Sequence, residues 1–202
     1  ADGVFLTGAE GLALDAGAST AHACVILGTP EAEAGPKGEV WCWGSQLNGT
    51  LGDGVTDNTY RGWAEPVIDI LTDEVLTGIK AIAISQDTTC AIVAEDGSMR
   101  CWGSNQNGML GNNNIGGNAG YSKAAPIPNA AGVDAIKGGE YRFCVKIGEV
   151  VACWGWNQHS QIGPTSGASS QPAPLAIQGL GSVTDVFPGP FSTCVTDASG
   201  NL

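Results

Sequence analysis

Cys101-Trp102-Gly103-Ser104-Asn105-Gln106-Asn107-Gly108-Met109-Leu110-Gly111 decides the fold, because the chain writes it three times. The earlier copy is Cys42-Trp43-Gly44-Ser45-Gln46-Leu47-Asn48-Gly49-Thr50-Leu51-Gly52. The later one is Cys153-Trp154-Gly155-Trp156-Asn157-Gln158-His159-Ser160-Gln161-Ile162-Gly163. Each Cys-Trp-Gly is followed by Leu-Gly or Ile-Gly eight residues after its Trp. The copies lie 59 and then 52 residues apart, a period in the range of propeller blades rather than of helical solenoids.

A second mark recurs in phase. Cys24, Cys90 and Cys144 precede Cys42, Cys101 and Cys153, with short apolar runs and a turn between. The turn reads Asp96-Gly97 in the middle copy, a strong hairpin signal between β-prone segments. Paired strands bring the two cysteines face to face, where directly opposed positions are close enough to bond. Three bridges are therefore predicted, Cys24–Cys42, Cys90–Cys101 and Cys144–Cys153, each stapling one hairpin. In-phase pairing of six of the seven cysteines favours an oxidising compartment. Zinc is a weak reading, since partners stand 9 to 18 residues apart and no Cys-x-x-Cys occurs. The seventh, Cys194, opens a further hairpin whose second cysteine would fall two residues past Leu202.

The composition fits. Of 202 residues 31 are glycine and only 14% are charged, so short strands and turns dominate. A net charge of -12 repels a phosphate backbone, which argues against nucleic acid as a partner. No apolar window is long enough for a membrane span. Residue 1 is Ala, so the chain reads as a processed or partial product.

Residues 1–21 read as the end of a preceding unit, followed by repeats at 22–86, 87–139 and 140–190 and the truncated start of another at 191–202. Ile79-Lys80-Ala81-Ile82-Ala83-Ile84 places apolar residues on both faces, as in a strand covered on both sides. The segments Asp53 to Glu65, Asn112 to Ala125 and Pro164 to Ala173 are rich in Gly, Asn, Ser and Pro and read as surface loops. Variable loops on a repeated scaffold are where recognition is placed.

The Trp-Gly and Leu-Gly marks resemble the regulator of chromosome condensation repeat family. The copies at 43–52 and 102–111 fit its pattern well, while the third has Ser160 in place of Gly and Ile162 in place of Leu. The resemblance implies an all-β fold: a β-propeller of four-stranded antiparallel blades, with about three to four blades here of a usual seven. The paired cysteines look like the secreted bacterial branch. An incomplete ring would leave blade faces uncovered, so a longer chain or self-association is expected to complete it.

Catalysis finds no residues. His22 stands where sister copies have Thr88, Arg142 and Ser192, and reads as a local hydrogen-bonding residue. His159 aligns with Asn48 and Asn107 and reads as a solvated loop residue. No nucleophile elbow or phosphate-cradling loop appears. Asp53-Gly54-Val55-Thr56-Asp57-Asn58 lacks the order of a calcium loop, and neither metal nor cofactor is implied. Asn48-Gly49-Thr50 is a glycosylation sequon lying on the repeat's own turn. The recognition candidates are aromatics that break the repeat, with an arginine beside them: Tyr60, Arg61 and Trp63 in the first long loop, Tyr121 in the second, and Trp156 where the sisters have Ser45 and Ser104.

The reading is a non-catalytic extracellular or cell-surface scaffold that binds a protein or surface polymer. A structural subunit of an extracellular assembly is the alternative. Guanine nucleotide exchange on a small GTPase comes third, opposed by the disulfides and the lack of a basic tail.

Overall fold

The computed structural model describes residues 8–14, 21–33, 35, 37–116, 120–163, 168–197 and 199. Its first sheet is β1 (Ala9–Leu14), β2 (His22–Leu27), β3 (Glu39–Ser45) and β4 (Tyr60–Pro66). The second is β5 (Ile79–Ser85), β6 (Thr88–Val93), β7 (Met99–Gly103) and β8 (Tyr121–Pro126). The third is β9 (Ala135–Gly139), β10 (Arg142–Ile147), β11 (Val150–Trp156) and β12 (Ser170–Ala176). β13 (Val183–Pro188) and β14 (Thr193–Asp197) pair as a fourth, two-stranded sheet. Within each sheet the strands follow chain order and run antiparallel. The sheets are offset from the cysteine-to-cysteine repeats: a repeat counted from its first cysteine begins on a second strand and ends on the first strand of the following sheet.

First strands neighbour one another, β1 on β5, β5 on β9 and β9 on β13, as in blades packed around an axis. The core is correspondingly divided by interface. Cys24, Val40, Leu51, Val67, Ile79 and Trp102 join the first sheet to the second. Met109, Leu110, Ile127, Phe143 and Trp154 join the second to the third. Ile162, Val183 and Val186 join the third to the fourth. β5 shows why its sequence lacks a polar face: Ile82 and Ile84 pack toward the first sheet and Ala81 and Ala83 toward the third.

All three bridges form where the strand register predicts them. Cys24 faces Cys42, Cys90 faces Cys101 and Cys144 faces Cys153, at Cα separations of 4.1, 4.2 and 4.1 Å. That is the short spacing of the non-hydrogen-bonded antiparallel pair. Cys194 is a free, exposed thiol on β14, opposite Phe187. The expected second half of its hairpin lies outside the described residues.

Candidate partner-binding face

Antiparallel strands in chain order send the first hairpin turn and the third connection of every sheet out at the same edge. The turns at 86–87, 140–141 and 189–192 therefore share one end with the Trp-Gly turns and the long loops that follow them.

The repeat motif builds that end. The amide at the third position past Trp folds back over its own turn: Gln46 Oε1 accepts from Leu51 N (3.2 Å), Asn105 Oδ1 from Leu110 N (3.0 Å) and Asn157 Oδ1 from Ile162 N (2.8 Å). The free ends of these amides tie down the loop beyond, Gln46 through Asp53, Asn105 through the Asn114 carbonyl (3.1 Å) and Asn157 through the Gly163 carbonyl (3.2 Å). Asp53, in the segment that faintly resembles a calcium loop, also accepts from Val55 N at 2.9 Å.

The Trp of each later sheet then locks onto the turn of the sheet before it. Trp102 Nε1 donates to the Thr50 carbonyl at 3.0 Å and Trp154 Nε1 to the Met109 carbonyl at 2.8 Å. Both indoles are fully buried, and Trp154 also stacks on Phe143 with centroids 5.5 Å apart. The Leu-Gly glycine is what admits the ring. At Gly52 (φ +72°) a Cβ would stand 2.8 Å from Trp102 Cδ1 and Nε1. Trp-Gly and Leu-Gly thus recur together because each supplies half of one latch between adjacent blades. Trp43, on the first described sheet, is half-buried.

The recognition candidates are placed differently from the loop positions expected. Tyr60, Arg61 and Trp63 lie on β4, the outermost strand of the first sheet, and Tyr121 opens β8. The loops are shorter than their polar composition implies, because aromatic residues suit a half-buried strand edge. Tyr60 is 74% and Trp63 64% exposed. Trp63 Nε1 donates to Glu65, and Arg61 pairs with Asp57 at 2.8 Å. Hydrogen bonds from Thr59 and then the Arg61 guanidinium hold the Asp57 carboxyl down at about 2. Tyr121 is half-buried, its hydroxyl accepting from Asn112 Nδ2 at 3.3 Å.

Trp156 belongs to a separate cluster. Its ring meets Tyr141 (6.2 Å), His159 (5.3 Å) and Phe191 (6.1 Å) edge to face, and His159 meets Phe191 at 5.4 Å. His159 is exposed as expected, but held between two rings rather than merely solvated. Sequence reasoning missed Tyr141 and Phe191. The available signal was that both stand three residues before a first cysteine. Beneath them lies Arg142, fully buried, donating to the carbonyls of Gly189, Pro190 (3.1 Å) and Ser192. Burial lowers the affinity of this guanidinium for its proton. His22 is likewise buried, and its contact is not local: Nε2 lies 2.7 Å from Thr89 Oγ1 on the next sheet. The position two before each first cysteine thus serves blade-to-blade contact in two sheets, with a different side chain each time.

Four-stranded sheets latched in sequence by Trp and Leu-Gly define a β-propeller repeat protein. Residues 79–108, from β5 through its Trp-Gly turn, match the regulator of chromosome condensation (RCC1) repeat. RCC1 domain-containing protein RUG3, mitochondrial, of Arabidopsis thaliana is 28% identical over 185 residues, covering 87% of this chain and 40% of RUG3. Prp20p of Saccharomyces cerevisiae, whose structure accompanies its binding properties to Gsp1p and histones, superposes with a TM-score of 0.69 at 18% identity, over 89% of this chain and 42% of that one. Human WBSCR16 gives the same score and identity over 89% of this chain and 43% of its own. The chain thus spans well under half the length of each. Among the described residues no helix is long and apolar enough to cross a membrane.

Proposed function

We propose that this propeller is a non-catalytic binding scaffold of the extracellular space or cell surface. It grips a protein or surface polymer through Tyr60, Arg61 and Trp63 on β4, with Tyr121 and Trp156 contributing from the neighbouring sheets. The observation that carries the reading is Trp63. A large aromatic side chain stands 64% exposed on an outer strand, beside an exposed tyrosine and an arginine, while the inter-blade cores are filled by other residues. Aromatic and arginine side chains are the usual anchors of protein interfaces. The three disulfides support an oxidising compartment, since reducing ones keep such thiols open. The mitochondrial designation belongs to RUG3.

Crosslinking the protein to its partner in its native setting tests this. Trp63→Ala and Trp156→Ala should each lose the crosslinked partner, while Glu95→Ala, in the turn at the opposite end, should keep it. Retention by both aromatic variants overturns the site. Recovery of the protein in a reducing cytosolic fraction overturns the location.

A second reading is chain-to-chain stacking into an assembly, through sheet faces like those that pack β1 on β5 and β5 on β9. Sedimentation separates the two: discrete monomers favour the scaffold, extended arrays the assembly.

A further inference from the structure

The cluster of Trp156, His159, Phe191 and Tyr141 has a chemistry of its own. It draws residues from three separate turns of two sheets, β9–β10, β11–β12 and β13–β14, so it exists only when the third and fourth sheets are docked. The corresponding positions elsewhere are Ser45 and Ser104 for Trp156, and Asn48 and Asn107 for His159, so the cluster is not part of the repeat's latch. Phe191 is 63% exposed and His159 is exposed, so among the described residues both rings face solvent.

Arg142 fixes the geometry. Its guanidinium draws the carbonyls of Gly189, Pro190 and Ser192 inward, which turns the Phe191 side chain out beside His159. Because Arg142 is wholly enclosed and faces carbonyl oxygens, an anion at the surface cannot reach its charge. The chain as a whole is negative. The chain carries 20 acidic residues against 8 Lys and Arg, and Arg61, Arg100, Lys123 and Lys137 are each paired with an aspartate. Glu140 adjoins Tyr141 in the turn at the edge of the cluster.

Aromatic rings in a negative field select cations, since ring quadrupole and carboxylate charge act in the same direction. We infer that the Trp156–His159–Phe191–Tyr141 cluster docks a lysine- or arginine-rich segment of a protein partner, with Arg142 as the residue that positions Phe191. This rests on the scaffold reading above and supplies the partner's chemistry at one end of the face.

The probe is a fluorescein-labelled hexa-arginine peptide, with hexaglutamate as its control, titrated against the oxidised chain by anisotropy. Saturable binding of the cationic peptide alone is expected. Phe191→Ala and Trp156→Ala should each weaken it about tenfold, the scale of a cation–π contact. Trp156→Phe keeps a ring and should stay within about threefold of the parent. Leu71→Ala, on the exposed loop between β4 and β5, should leave the peptide's affinity unchanged. Phe191 is largely exposed, so its truncation should leave the circular dichroism spectrum as it was. Absence of saturation, or equal affinity in the parent, Phe191→Ala and Trp156→Ala, overturns the assignment, the latter by reducing it to general charge attraction. Either failure, with Trp63→Ala still losing the natural partner, would sink the cationic docking site and leave the scaffold reading standing.

Discussion

Gly52→Ala and Gly78→Ala form a matched pair that isolates the latch between blades. Both glycines sit at φ +72°, so an alanine at either meets the same left-handed backbone penalty, about 1–2 kcal/mol. At Gly78 the new methyl meets nothing within 4 Å. At Gly52 it would lie 2.8 Å from Cδ1 and Nε1 of Trp102 and 2.8 Å from Cγ1 of Val67. Trp102 is fully buried and tied to the Thr50 carbonyl, and Val67 is fully buried as well, so neither can withdraw into solvent. Overpacking of this kind costs a further ~1–3 kcal/mol. Gly78→Ala should therefore lose about 1–2 kcal/mol and Gly52→Ala about 2–5 kcal/mol. Urea unfolding with the disulfides intact, followed by tryptophan emission, measures both at a common denaturant slope. A change in Trp102 emission should accompany Gly52→Ala alone. Equal losses in the two variants would mean that the indole does not bear on the turn before it, and the account of why Trp-Gly and Leu-Gly recur together would fail.

Trp154→Ala should cost about 3–5 kcal/mol by emptying the indole site, and Trp154→Phe about 1–3 kcal/mol through the orphaned Met109 carbonyl, both read by urea unfolding. Asn105→Ala should raise amide exchange at Leu110 and leave Ile162, served by Asn157, unchanged. Asp57 should titrate by NMR near 2 in the folded protein, below the ordinary aspartate value of 3.8. Its folded affinity for protons is depressed, so its contribution is complete above the unfolded value and is lost as pH falls from about 4 through 2; Arg61→Ala should narrow that window from below.

The sequence carried the fold because two of its signals are strictly local. A hairpin turn between cysteines and a fixed Trp-to-Leu-Gly distance can both be read along the chain, and both determine strand pairing directly. The latch was harder to see, since it couples Trp102 to Thr50 and Trp154 to Met109 across about half a hundred residues, a relation that spacing alone does not state. The candidate site was legible in part. Trp156 stood out against its serine sisters, but its ring partners come from turns that sequence alone does not bring together. Tyr60 and Trp63 were recognisable as unusual and misplaced as loop residues, because Asn58, Thr59 and Gly62 mask the start of an edge strand. Arg142 gave no warning, since a cation without a carboxylate partner becomes intelligible only when three carbonyls are seen to surround it.

The most direct test is disulfide mapping of the protein from its natural source, with free thiols blocked at the moment of lysis and peptides separated without reduction. The account predicts three linked pairs, Cys24–Cys42, Cys90–Cys101 and Cys144–Cys153, each joining the two central strands of one blade. Recovery of these six cysteines as blocked thiols, or in links that cross between blades, would contradict it.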